Sequence, residues 1–343
     1  MGSDGLFLLA LAAGILPFAV PEVCAAALRE GLALCSGSLL LSLFPFLVVS
    51  RLLVQCPESD LLALPFRLAA WGIGIRTPCA ARVLCIGFLG GFAPAASAAA
   101  QAVRTGQLTA EEADALLPAC ICSGPSFVVL TVGQSLLGSA ELGVLLFASQ
   151  ITANYLTAAL LNRFAGVHSV EQESAAQASP APPRLDEILA DAAITYCKLC
   201  GFILFFRLLA AGAGALLPTG AGTLCAILLE VCSGCDLASR TGQWGSLLCC
   251  AALSVQGLSV LLQVRTICPP EMTLRPLYRA RMLHLPLSIG PVLSCCCRAG
   301  GGCVQHPACP GPFDAAGAAG LCPARFCSVL YGSLHFAQWN PSS

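Results

Sequence analysis

A carboxylate stands at position 230, midway along Ala221–Arg240 (AGTLCAILLEVCSGCDLASR), a segment apolar enough to lie within a bilayer. An ionised acid at mid-bilayer costs ~2.5–3.5 kcal/mol even on a lenient insertion scale, so such a residue marks a functional site, holding a cation, a proton or a polar solute. Ser233 and Gly234 follow Glu230 at i+3 and i+4, which on a helix puts the hydroxyl on the face of the acid. Further on, Gln256, Ser259 and Gln263 fall at i, i+3 and i+7 and read as one stripe of amides and a hydroxyl. A third constellation, Ser123-Gly124-Pro125-Ser126, interrupts the apolar stretch Ala115–Ala140. Pro125 has no N–H to donate to the preceding turn and Gly124 resists unwinding poorly, so the helix is expected to break there. The freed backbone groups find no partner in lipid and become available to a ligand. Gly87–Ser97 (GFLGGFAPAAS) is a second weak point, allowing close helix approach or an unwound segment. Each reading has a plainer rival. The stripe can serve interhelical hydrogen bonds, worth about 0.6 kcal/mol each in membranes, and Glu230 can neutralise Lys198 or Arg207 on the preceding segment.

The elements that must position these groups are membrane helices. Uncharged stretches run Gly5–Pro21, Gly31–Ser50, Val83–Val103, Ala115–Ala140, Leu142–Asn162, Leu208–Leu229 and Thr241–Val264, and ~20 residues suffice for a helix to cross. Hydrophobic residues make up 57% and charged residues 10% of 343, too little polarity to coat a soluble globule. The fold expected is therefore an all-α polytopic bundle of eight or nine spans, partnered by the lipid bilayer. A net charge of -1 argues against a nucleic-acid surface. The first apolar run, preceded by Asp4 and lacking a basic leader, reads as a retained helix. Leu61–Ile75, with Pro65, Arg67 and Trp71, is too short to span and reads as an interfacial segment.

Charge placement gives a topology. Arg51, Arg67, Arg76 and Arg82 form one basic loop and Arg265, Arg275, Arg279 and Arg281 another, whereas Glu171, Glu173, Asp186, Glu187 and Asp191 dominate the linker. The positive-inside rule puts the basic loops in the cytoplasm. Six candidate crossings between them, near 83–103, 115–138, 142–162, 192–212, 216–236 and 245–265, place the linker outside. The expected organisation is a first membrane half at 1–164, an acidic Pro-rich extracytoplasmic linker at 165–191, a second half at 192–298 and a Cys/Gly/Pro-rich tail at 299–343. Thr109 and Glu112 form a capping box, predicting a helix from Ala110 on the outer side.

Most of the 22 cysteines lie singly in apolar runs, where a thiol behaves as a small hydrophobe. Cys197/Cys200 and Cys232/Cys235 have a metal-like spacing but no neighbouring histidine, so no metal or other cofactor is expected; the tail cysteines with His306 leave zinc open there. No nucleophile or carboxylate pair has a spacing suited to catalysis, and an enzyme is not expected.

The halves repeat weakly. Phe46–Leu53 (FLVVSRLL) matches Phe202–Leu209 (FILFFRLL), and RTGQ recurs at Arg104–Gln107 and Arg240–Gln243, after the next span each time. With the topology above, the repeat would be parallel. LREGLALCSGSLLLSLFPFLVVSRLL, GFLGGFAPAAS, CICSGPSFVVLTVG, LLEVCSGC, QGLSVLLQV and YRARMLH, in this order from Leu28 to His284, resemble the sporulation integral membrane protein family of endospore-forming Gram-positive bacteria. The halves of that family are similar to the nucleoside-recognition or Gate domain. The resemblance implies a multi-pass protein of the cytoplasmic membrane, in the mother cell or forespore, with a role in spore cortex formation beside other sporulation membrane proteins. The Gate likeness implies movement of a small polar solute with a coupling cation. Gly124, Pro125, Glu230 and Gln263 match the family's pattern. Ser97 stands where the family has a lysine after its G-Y-P-x-G-A motif, and Ile121 and Cys122 stand where it carries Asn or Thr, which weakens the first-half site. The site expected is Ser123, Gly124, Pro125, Ser126, Glu230, Ser233, Gly234, Ser259 and Gln263. The alternative is a non-transporting scaffold that recruits cortex or coat machinery through its loops.

Overall fold

The computed structural model describes residues 3–55, 60–166 and 184–298, and every regular element among them is helical. The order is α1 (Ser3–Ala19), α2 (Pro21–Ser36), α3 (Ser38–Gln55), α4 (Asp60–Gly72), α5 (Pro78–Gly90), α6 (Phe92–Arg104), α7 (Ala110–Cys120), a π-helical segment (Ser126–Leu136), α8 (Ala140–Ala165), α9 (Leu185–Leu216), α10 (Thr219–Leu229), α11 (Val231–Ser239), α12 (Gly245–Val255), α13 (Gly257–Ile267) and α14 (Arg275–Arg298). The expected all-α class is observed. By length and composition, four segments among the described residues are able to cross a membrane: Pro21–Leu41, Ala140–Ala165, Leu185–Leu216 and Gly242–Ile267. The outward face is apolar to match: Phe18, Leu41, Phe164 and Met282 each expose three quarters or more of their surface.

Two stretches counted as crossings turn back on themselves. Arg82, near the start of α5, reaches Gln107, just past the end of α6 (Nη1 to Oε1, 3.4 Å). Two such helices laid end to end would hold these residues more than ~35 Å apart, so α5 and α6 form a helical hairpin with Gly91 at its tip. Its second arm is buried all round, with Ala93, Ala95, Ala96, Ala98, Ala99, Ala100 and Ala102 sealed inside; small side chains let the hairpin enter the bundle. In the second half, α10 and α11 pack side by side, a Cβ on Gly234 falling 2.8 Å from Ile227 Cα. That hairpin turns at Glu230.

The hairpins change the path of the chain: the one at 78–104 returns to the end of the bundle from which it enters. Arg51 at the end of α3 accordingly ion-pairs Asp191 near the start of α9 (2.7 Å). Asn162, late in α8, donates to Ile73 and Ala115 (2.9 and 3.2 Å). Both helix ends that flank the linker therefore lie at the end of the bundle that carries Arg51, Arg104 and Arg265, not opposite it; residues 167–183 themselves fall outside the described residues. Helix α9 begins at Leu185 rather than 192, with Asp186 and Glu187 in its first turn, where carboxylates favour the helix dipole. The capping box at Thr109 and Glu112 forms, and it too sits at the basic end rather than the outer one. The repeat pairs α3 with α9, hairpin with hairpin, the broken α7 with the broken α12–α13, and α8 with α14. Because the hairpins enter from opposite ends, it is inverted and not parallel.

Polar contacts pin the connections. Arg82 donates to Asp60 (2.8 Å) and to the Val54 carbonyl at the end of α3 (2.8 Å). Asp114 on α7 accepts from the N–H groups of Thr273 and Leu274 (2.8 and 3.1 Å), fixing the turn into α14. Helix α4 spans only 13 residues and exposes Leu61, Leu64, Leu68 and Trp71, with Arg67 over the Trp71 ring. Arg281, placed in a loop by its charge, instead lies buried on α14.

Candidate functional site

Four chain interruptions meet in the middle of the bundle. Helix α7 stops at Cys120 and residues 121–124 leave the helical path before Pro125 opens the π-helical segment, as the sequence predicts. The cause is local: the missing N–H of Pro125 is the one that would have bonded the Ile121 carbonyl. Helix α12 ends at Gln256, whose φ of 61° is left-handed, and α13 starts at Gly257 with φ 69°. This break removes Gln256 from the stripe expected with Ser259 and Gln263. The two hairpin tips close on the two breaks. Gly91, at φ 81°, sits so near the first break that a Cβ would fall 2.7 Å from the Gly124 nitrogen. At the second, a Cβ on Gly257 would fall 2.9 Å from the Glu230 nitrogen. Glycine is required at both on two counts, backbone conformation and contact distance.

Glu230 is 2% exposed and extended (φ -152°, ψ 128°) at the tip between α10 and α11. Its carboxylate caps α11 with both oxygens, accepting from the N–H groups of Cys232 (2.8 Å) and Ser233 (2.7 Å). The positive end of a helix thus holds a buried anion, with each oxygen keeping lone-pair capacity for a further partner. The alternative pairing with a cation of the preceding helix is not formed: Arg207 bonds Glu30 at 2.6 Å, and Lys198 faces a separate cavity.

A cavity of about 50 Å³ lies against the tip, lined by Ser123, Gly124 and Ser126 of the first break, by Glu230 and Cys232 of the second hairpin, and by Gln263 of α13. Five of the nine expected site residues therefore share one space. Of the others, Ser259 stands behind Gln263 and accepts its amide N–H at 2.8 Å, and Pro125 starts the second half-helix without lining the cavity. Ser233 contributes its backbone N–H, and Gly234 serves the hairpin packing; with Glu230 at the cap and not within the helix, the three do not form a helical face. The Gln263 amide oxygen is buried and has no hydrogen-bond partner among the described residues. The rest of the lining is apolar, with Leu39, Leu43, Phe92, Phe127, Ile203, Val231 and Val260, so a few carboxylate, hydroxyl and amide oxygens are the groups a hard cation or the polar part of a solute would meet there.

Sequence reasoning missed a second polar layer. Arg281, buried on α14, donates to the carbonyls of Ile121 (2.9 Å) and Ser254 (3.3 Å), which are the C-terminal ends of the half-helices α7 and α12. One guanidinium thus satisfies two helix ends whose dipoles point at it. Asn154 also donates to Ile121 (3.2 Å), Gln150 donates to the Ser254 hydroxyl (3.1 Å), and His284 Nε2 lies 3.2 Å from the Gln150 carbonyl. The signal was present: Gln150 and Asn154 stand four apart in an apolar span, and Arg281, His284 and Ser288 recur at helical spacing. Among the described residues no group of three or more His, Cys, Asp or Glu side chains is placed to hold a metal ion; the tail cysteines lie outside them. Comparison with family models, with curated proteins and with solved structures yields no match.

Proposed function

We propose that this chain is a transporter-like protein of the cytoplasmic membrane that binds and moves a small polar solute, with Glu230 as the centre of its site. In this reading α3, the broken α7 with its π-helical continuation, α8, α9, the broken α12–α13 and α14 cross the bilayer, while the two hairpins enter from opposite faces and end at mid-depth. The observation that carries it is the meeting of four interruptions around a buried carboxylate. Broken helices and hairpin tips present backbone dipoles and unpaired polar groups where lipid offers none, an arrangement suited to holding ions and solutes. A scaffold would need no shared internal cavity. The role in spore cortex formation, beside other sporulation membrane proteins, rests on the order of the motifs from Leu28 to His284.

Full-length protein reconstituted in liposomes is to be screened for uptake of nucleosides, amino acids and small carboxylates. Saturable uptake by the wild type that Glu230→Gln abolishes is the expected result. Folded, correctly inserted protein that takes up none of them, or an unimpaired Glu230→Gln variant, would overturn the reading. Deletion of the gene in an endospore former, scored for cortex, tests the biological role.

A further inference from the structure

Two C-x-x-C motifs lie inside helices, Cys197/Cys200 in α9 and Cys232/Cys235 in α11. Within an intact helix, residues three apart hold their Cβ atoms about 5–6 Å from each other, and a disulfide spans only ~4 Å, so neither motif closes on itself. The second cysteine of each meets a thiol of a neighbouring helix instead: Cys200 faces Cys35 of α2, and Cys235 faces Cys249 of α12. The two pairs differ in access. Cys235 and Cys249 are sealed, whereas Cys200 is only half-buried beside the buried Cys35. Packing holds α2 close against α9 around the exposed pair. The Tyr196 hydroxyl donates to the Cys35 carbonyl, a Cβ on Gly31 would fall 2.8 Å from Leu204 Cδ2, and Arg207 pairs with Glu30 at 2.6 Å. This seam also borders the cavity at Glu230: Ile203 of α9 lines it together with Leu39 and Leu43 of α3, the helix that follows α2 after Gly37.

We propose that Cys35 and Cys200 are a reversible redox clasp, a disulfide that closes across α2 and α9 under peroxide and fixes one wall of the Glu230 cavity. The thiolate of Cys200, the more accessible of the two, attacks one peroxide oxygen; the O–O bond breaks, a sulfenic acid forms, and the departing hydroxide takes up the thiol's proton as water. The Cys35 thiol then attacks the sulfenyl sulfur, forming the S–S bond, breaking the S–O bond and releasing a second water. Two thiols are oxidised to one disulfide while one hydrogen peroxide is reduced to two waters. A dithiol reductant reverses the bond by exchange, leaving as its own cyclic disulfide. Hydrogen peroxide is small and uncharged, so it reaches a thiol inside an apolar seam where a charged oxidant does not. Only the use of the clasp to control uptake rests on the transport reading; the bond and its effect on the cavity do not.

Full-length protein in phosphatidylcholine nanodiscs is to be exposed to hydrogen peroxide, quenched with catalase and digested without reduction. The expected product is a cross-linked peptide joining Cys35 to Cys200, absent after dithiothreitol and absent from Cys35→Ser and Cys200→Ser, with Cys235 and Cys249 left as free thiols. A Cys197–Cys200 bridge, or Cys35 and Cys200 that stay reduced or stop at sulfinic acid, would overturn the clasp. Cross-linking of Cys235 to Cys249 at the same rate would overturn it too, since access would then not decide which pair reacts. The effect on the cavity is read at Cys232, which lines it. Once peroxide is removed, alkylation of Cys232 by N-ethylmaleimide should be about tenfold slower in the clasped wild type than in Cys35→Ser treated alike, because a fixed wall opens less often. Equal rates would overturn the link to the cavity. Failure of the transport reading is distinguishable. A clasp that forms and slows Cys232, in protein that takes up no nucleoside, amino acid or small carboxylate into liposomes, stands without that reading; uridine uptake that the clasp leaves unchanged removes the control and leaves transport.

Discussion

At Glu230 one side chain performs two tasks that pull substitutions in different directions. The carboxylate caps α11 through both oxygens and also faces the cavity. Glu230→Gln keeps the volume but only one oxygen acceptor, so it is expected to lose one cap bond and destabilise by about 1 kcal/mol while abolishing function. Glu230→Ala strands both N–H groups and should cost about 2 kcal/mol. Thermal unfolding of the purified variants checks the order Ala below Gln below wild type; equal stability of all three would refute the cap. Arg281 presents the complementary case, a buried cation whose partners are two helix ends. Arg281→Leu leaves the Ser254 carbonyl without its guanidinium donor, a loss of ~1–3 kcal/mol for a buried acceptor. Arg281→Lys should recover only part, since an ammonium lacks the fork that spans two carbonyls. Full recovery by Lys would mean that charge alone suffices.

At the scale of elements, the interruptions depend on glycine at the places where backbones meet. Gly91 has a backbone conformation essentially reserved for glycine, worth ~1–3 kcal/mol when another residue is forced into it, and a Cβ there would meet the Gly124 nitrogen. Gly91→Ala is therefore expected to destabilise by about 3 kcal/mol, adding overpacking of ~1–3 kcal/mol to the strain. Gly201→Ala, in the interior of α9 with nothing near the new methyl group, should be neutral or stabilising by up to ~1 kcal/mol. Comparable losses at both positions would show that the hairpin tip is not tightly seated on the break.

For the whole molecule, the inverted arrangement makes a prediction about sides. Glu111 and Asp186 lie at the end that carries Arg51, Arg104 and Arg265, whereas Gln243 lies at the other, after the second hairpin. Because basic residues stay with the cytoplasm, single cysteines at positions 111 and 186 should react with an impermeant thiol reagent only after permeabilisation, and one at 243 without it, in a background cleared of reactive thiols. Labelling of 186 on the same side as 243 would restore the parallel topology that the charge count first implied. That count went astray for a physical reason. An apolar stretch of ~20 residues satisfies the length rule whether it crosses straight or doubles back, and composition does not tell the two apart.

The sequence by itself determined the chemistry of the lining and the sites of local failure. Its apolar runs dictate an all-helical protein able to enter lipid, Pro125 dictates the break after Cys120, Thr109 and Glu112 dictate where α7 begins, and an acid at 230 marks a polar position, because each follows from a residue acting on its own neighbours. Only the tertiary structure decided that Val83–Val103 and the stretch around Glu230 are hairpins, since what turns them is the opposing surface: Gly124 accepting the Gly91 tip and Gly257 accepting the Glu230 tip. It also decided that Glu230 is a cap and not a mid-helix residue, for glutamate is no preferred capping residue and nothing local announces one. The polar side chains of the Arg281 layer stood in the sequence at helical spacing, but the carbonyls that Arg281 meets did not. They belong to Ile121 and Ser254, and a backbone carbonyl carries no residue signature until the fold brings a donor to it.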